Sequence, residues 1–202
     1  MGMPIAKDRV WTLEEVWALP DDPRHRYELV DGELLVSPSP RALHQRAVLE
    51  LQLVLHPYAR DTGMCEVLAA PSDVVIQLSH LVQPDVYVIQ RLSQVQLRAD
   101  PRTLPLPLLA IEVLSPSTAR ADRLTKRRLY QRAGIELWIV DLDARLFERW
   151  TPDAMRPEIS AEWIEWSPSG TSAPFRLDVE ALMGRILDDV VAVVVGHAVA
   201  EA

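Results

Sequence analysis

An α/β (α+β) fold, a mixed β-sheet flanked by helices and entered through an N-terminal β-hairpin, is what the sequence predicts. Three observations carry that expectation. Two strand-like runs flank Asp31-Gly32 near the start of the chain; two long segments have apolar residues at helical spacing; and β-branched or aromatic runs fill the space between and after them. A chain of 202 residues, 49% hydrophobic and 25% charged, is long enough to bury a real core. We expect one domain over residues 1–202, its core about 11–182 and its tail 183–202.

Each element follows from local chemistry. Residues 11–19 read as a short helix capped by Thr12, with Glu15 placed to complete a capping box. Asp21-Asp22-Pro23 ends it. Strands at 27–30 and 33–36 around Asp31-Gly32 predict a tight hairpin, because Asp-Gly accepts the left-handed conformations such a turn requires. Ser39-Pro40 then predicts the start of a long helix, serine as cap and proline at the first helical position. Its stripe is Leu43, Ala47, Leu51, Val54, Leu55 and Tyr58. Strands are expected at 64–68, 73–78, 85–89 and 108–114. A second helix over 119–133 stops at Gly134. A buried strand at 135–140 and more exposed ones at 146–150 and 163–166 follow, and the residues after Phe175 read as a short helical tail.

Composition removes several classes of function. The single cysteine, Cys65, excludes an internal disulfide and a zinc site of several thiolates, and a reducing cytoplasm is the expected home. Residues 190–195 are too few to span a membrane, and the opening residues lack the apolar stretch of a signal peptide. A net charge of −8 argues against coating nucleic acid through bulk positive charge. There is no phosphate-cradling glycine loop, no nucleophile elbow and no zinc motif.

Glu112 is the most informative residue. It sits in Leu108-Leu109-Ala110-Ile111-Glu112-Val113-Leu114, apolar on both sides, where a bare carboxylate must be paired, neutralised or bound to a metal. An arginine or backbone amides holding a strand-end Glu would satisfy the same pattern. Asp85, directly after Pro84, is a second acid, although Pro-Asp is also a common turn dipeptide. On the second helix Asp122, Lys126 and Tyr130 share one face with Leu129 and Ala133, while Arg120, Arg123, Arg127, Arg128 and Arg132 cover the rest. An exposed Asp122–Lys126 pair would stabilise by only ~0.3–0.5 kcal/mol; an inward lysine needs an anion. Two carboxylates from adjacent strands suit Mg²⁺ or Mn²⁺, which activates water and polarises a phosphoryl oxygen, while a nearby lysine stabilises the developing charge. His44 could line the site or cap the core edge, the second reading being slightly favoured; Glu28 could be a further acidic ligand or a solvated strand residue, and Asp73 is a weak third carboxylate. The arginine face suits either a nucleic-acid backbone or plain solvation. Trp138, Trp150, Trp163 and Trp166 fit core or interface packing better than base stacking.

Several stretches occur together in order: residues 27–33, Ser37-Pro38-Ser39 leading to His44, Pro84-Asp85-Val86, residues 112–118, the Asp122, Lys126 and Tyr130 spacing, and residues 137–141. In these the chain resembles the Uma-type restriction endonuclease family of the PD-(D/E)XK nuclease superfamily, from about residue 11 to 182. The resemblance implies a restriction-endonuclease-like fold. It places the first acid at Asp85 and the second at Glu112, and adds the carbonyl of Val113 to the metal shell. The superfamily's lysine two residues after the glutamate is Leu114 here, and the resemblance moves its role to Lys126. The implied activity is Mg²⁺-dependent hydrolysis of DNA phosphodiester bonds. A catalytically inactive interaction or regulatory module remains the competing reading, favoured by the net acidity and by Leu114. Cutting two strands suits a homodimer, with the tryptophan-rich strands near Trp150 and Trp163 as its expected interface.

Overall fold

The computed structural model describes residues 9–188 apart from 78 and 172. Helix α1 (Leu13–Trp17) opens with the expected capping box: the Glu15 N–H donates to Thr12 Oγ1 and the Thr12 N–H to Glu15 Oε2. Leu13 and Val16 form its buried face. Strands β1 (His25–Val30) and β2 (Glu33–Pro38) pair antiparallel around Asp31 and Gly32, whose φ values of 51° and 79° give the left-handed pair that a tight hairpin needs.

The long helix α2 (Ala42–Thr62) begins later than Ser39-Pro40 suggests. Its N-cap is Arg41, with no side-chain cap, because Ser39 still belongs to the hairpin. The Ser39 N–H donates to the Arg24 carbonyl, and its hydroxyl to that of Pro23. Strands β3 (Cys65–Ala69), β4 (Val74–Ile76), β5 (His80–Val82), β6 (Val86–Gln90) and β7 (Leu109–Val113) follow. β5 was not expected. It folds back on β4 through a turn in which Gln77 takes a φ of 53°, and no glycine marks that turn in the sequence.

The second helical stretch departs from a plain α-helix. Ala121–Lys126 is π-helical and runs into α3 (Arg127–Arg132) before Gly134 turns the chain. Then come β8 (Glu136–Asp141), β9 (Leu146–Trp150), β10 (Glu158–Ser160), β11 (Trp163–Trp166), β12 (Phe175–Asp178) and α4 (Val179–Leu187). β10 and β12 are also additions, and of the expected helical tail Phe175–Asp178 is strand and Val179–Leu187 helix. Met183 and Ile186 of α4 are buried in the main core, so packing runs past Leu182. Residues 189–202 of that tail lie outside the described residues.

Among the described residues three sheets result, with strand orders β2-β1-β5-β4, β10-β9-β8-β7-β6-β3 and β11-β12. The six-stranded sheet is mixed: β7 and β8 are parallel, joined by the helical crossover, and its other pairs are antiparallel. Alternation along each strand sorts the two faces. Leu109, Ile111 and Val113 join α2 and α4 in one core; Ala110, Tyr87 and Ile89 join Leu129 and Tyr130 of α3 in the other. Glu112 therefore points toward α3. Val86 pairs with Ile111, so Asp85 stands one step further, opposite Glu112.

Candidate active site: acids gathered around Lys126

Where β6 begins and β7 ends, four acids are buried together: Glu28, Asp85, Glu112 and Asp122. Lys126 reaches into them with only 2% of its surface exposed. Its Nζ lies 3.0 Å from Glu112 Oε1, 3.0 Å from Asp122 Oδ1 and 3.2 Å from Glu28 Oε1. The Tyr130 hydroxyl donates to the same Glu112 Oε1 at 2.8 Å, and the Gln83 N–H donates to Glu28 Oε1 at 2.8 Å. Glu112 is thus held by a lysine and a tyrosine, not by an arginine or backbone amides. The Asp122–Lys126 pair is interior.

Asp85 forms the adjoining half. Its Oδ2 accepts the Val113 N–H at 2.9 Å, and its Oδ1 accepts Arg26 Nη1 at 3.0 Å. His44 Nε2 lies 3.1 Å from both Asp85 Oδ2 and the Val113 carbonyl. A carbonyl only accepts, so Nε2 carries the hydrogen; Nδ1 is left buried without a partner.

Charge is unbalanced inside this cluster. Four carboxyls face Lys126 and Arg26 as permanent cations, an excess of two negative charges if every acid ionises. Burial pushes Glu112 up to about 8, against the pull of Lys126 and with added repulsion from Asp122, Asp85 and Glu28. Burial works against the Lys126 ammonium too, but Glu112, Glu28 and Asp122 outweigh it and hold its pKa well above the usual lysine range. Asp85 is held below the usual carboxylate range: burial acts to raise it, and His44, Arg26 and Lys126 overcome that. Burial, then Glu112, keep the Tyr130 phenol protonated far beyond its ordinary range. These directions keep Lys126 charged and favour a proton on Glu112.

Hard oxygen ligands and missing positive charge both fit a divalent cation held by Asp85, Glu112 and the Val113 carbonyl. Among the described residues, however, no group of three or more His, Cys, Asp or Glu side chains stands ready to hold a metal. The same oxygens are engaged by Arg26, His44, Lys126 and Tyr130.

Of the residues singled out in the sequence, Asp85, Glu112, Val113, Lys126, Glu28, His44, Asp122 and Tyr130 come together. Asp73 does not join them. Its oxygens accept Trp17 Nε1 and Gln83 Nε2, one residue removed from Glu28. Arg26 and Gln83 are members that sequence reasoning missed. Arg26 had a signal: it stands two residues from Glu28 and so shares a strand face with it. Most of the outer arginines are engaged as well. Arg123 binds Asp141 and Glu148, Arg127 lies over the Trp150 ring, and Arg132 pairs with Asp31. Arg120 and Arg128 have no ion pair among the described residues, nor do Arg41 and Arg46 on the segment that carries His44.

Residues 13–178 match the Uma2 family, described as "Putative restriction endonuclease". The chain belongs to the Uma2 family. This Uma2 chain also resembles, with a TM-score of 0.70 and 20% identity, a crystal structure described as "a putative nuclease belonging to DUF820 from Anabaena variabilis ATCC 29413". The likeness covers 88% of this chain and 99% of the other, and shows that the two share a fold. No curated protein matches the sequence. Among the described residues no helix is long and apolar enough to cross a membrane.

Proposed function

We propose that this Uma2 chain is a Mg²⁺- or Mn²⁺-dependent endonuclease of the PD-(D/E)XK type that hydrolyses DNA phosphodiester bonds, acting in the cytoplasm as one nuclease-like domain. The observation that carries this reading is the buried Lys126 ammonium on Glu112, with Asp85 bound to the neighbouring Val113 N–H. Membership of a family described as restriction endonucleases supports it.

Asp85, Glu112 and the Val113 carbonyl would hold the ion, which when bound supplies an activated water and a polarised phosphoryl oxygen. Lys126, kept charged, is placed to stabilise negative charge developing on the phosphate. Asp122 and Glu28 fix its position. Arg26 and His44 orient Asp85, and Tyr130 orients Glu112 through a proton it does not release. Arg41, Arg46 and Arg120, on the elements that carry His44 and Asp122, are suited to backbone phosphates.

Nicking of supercoiled plasmid with Mg²⁺, Mn²⁺ or EDTA, wild type beside Glu112→Ala, is the test. The expected result is metal-dependent nicking that falls roughly 100-fold or more in the variant. A variant that nicks as fast as wild type sinks the assignment. The second reading, an inactive interaction module, is favoured by the engagement of both Asp85 oxygens with Arg26 and His44. It requires no nicking by wild type and no metal binding by calorimetry.

A further inference from the structure

A second polar site lies at the other end of β6. A cavity of about 260 Å³ opens between the C-terminal part of α2 and the edge of the six-stranded sheet, lined among others by His56, Arg60, Cys65, Glu66, Val67 and Arg91. Arg91 follows Asp85 by six residues along an extended strand, which puts the cavity roughly 20 Å from the acid cluster.

β3 is the outermost strand on this side, and its register determines what the edge presents. The Arg91 N–H bonds to the Met64 carbonyl and the Ala70 N–H to that of Asp85, so even-numbered residues of β3 face β6. The backbone N–H groups of Cys65 and Val67 therefore point away from β6, to an edge without a partner strand among the described residues. His56 and Arg91 have no ion pair among the described residues. Among the described residues Arg60 pairs only with its exposed neighbour Asp61, and Glu66 is the one carboxylate in the lining.

The geometry points to a binding site for a phosphate monoester in this cavity. Two guanidinium groups supply forked donors that match phosphate oxygens, and the edge amides and His56 add single donors. A tetrahedral dianion can use donors from several directions, where a planar carboxylate uses fewer. The volume falls just short of the ~300 Å³ at which small-ligand sites commonly begin, which suits a phosphate with part of its sugar. Basic residues near a helix C-terminus also favour the helix dipole, but that role does not require a cavity or a further arginine, Arg91, lining it from just past the end of β6.

The site can be tested without cleavage, by calorimetry in EDTA with inorganic phosphate, a deoxynucleoside monophosphate, and one oligonucleotide with a 5′-phosphate or a 5′-hydroxyl. Because no metal or turnover is involved, failure here leaves the nuclease reading untouched. Wild type is expected to bind phosphate. Arg60→Ala/Arg91→Ala should weaken binding at least tenfold, and Glu66→Gln should tighten it severalfold. Both arginines lie on the surface, so the double variant should fold, which circular dichroism checks. Competition by the 5′-phosphorylated oligonucleotide alone assigns the group to a nucleic-acid end, and competition by the mononucleotide alone to a free metabolite. No binding by wild type, or undiminished binding by the double variant, overturns the proposal.

Discussion

At Glu112 the effect of burial can be read in the carboxyl's hold on a proton. Its pKa rises to about 8 in the folded protein from an ordinary 4.5, so between these values the native state keeps a proton that the unfolded chain releases. Stability must therefore decline as pH rises through that window. Asp85 acts with the opposite sign: its lowered pKa stabilises above the ordinary carboxylate range and is lost only as pH falls through its folded value. The groups facing Glu112 are Lys126, Tyr130, Asp122, Asp85 and Glu28. In EDTA, the urea midpoint of wild type is expected to fall between about pH 5 and pH 8. Glu112→Gln should remove most of that slope and be more stable by ~1–3 kcal/mol at the upper end, a discounted share of the full shift. The same slope in wild type and variant would show that Glu112 is ionised throughout. Glu112 was legible in the sequence because an acid inside an apolar strand is conspicuous, whereas Asp85 after Pro84 became a candidate only beside it. Arg26 was legible only as a neighbour of Glu28 on one strand face; its bond to Asp85 depends on β1 lying beside residues 83–85, which no local pattern encodes.

Between residue and fold, the hairpin is the element on which the site leans hardest. It delivers Arg26 to Asp85 and Glu28 to Lys126, so its register sets two contacts of the cluster. That register depends on the left-handed pair Asp31 and Gly32. A Cβ added at Gly32 would lie 2.7 Å from Val10 Cγ1, a side chain exposed enough to swing away, so backbone conformation decides the effect. Gly32→Ala is expected to destabilise by ~1–2 kcal/mol, and Gly32→Asn by less, since asparagine tolerates the left-handed region. Urea denaturation of both variants measures this, and equal stability of Ala and wild type would count against the turn as the hairpin's anchor. Elements with strong local chemistry were read correctly: the Thr12 capping box, the Asp-Gly hairpin and the Gly134 stop. The misses have a common cause. Ser39 looks like a cap but bonds back to the hairpin, β5 follows a turn without glycine, and β10 and β12 are strands of three and four residues that exist through their partners.

For the whole molecule the open question of assembly concerns sheet edges. Strand β10 ends the six-stranded sheet on the side opposite β3, and three exposed apolar side chains gather in its vicinity along the chain: Met155, Ile159 and Trp163. Ile159 is 62% exposed on a strand whose outer edge has no partner among the described residues. Unpaired edges with apolar side chains invite association. The expectation of a homodimer near Trp150 and Trp163 changes in its details. Trp150 lies beneath Arg127 and is already used, whereas Trp163 stays half exposed under Arg176. A two-fold pair built on β10 would bring Ile159 to the centre and Trp163 to its flank, the isologous arrangement commonest among oligomers. Multi-angle light scattering at roughly 50 μM should then give twice the 22.8 kDa chain mass. Ile159→Lys, a charge on an exposed position of an edge strand, should return the protein to monomer while leaving its fold and thermal transition in place. A dimer that survives Ile159→Lys would move the interface elsewhere on the molecule, and a wild-type monomer at that concentration would remove the dimer.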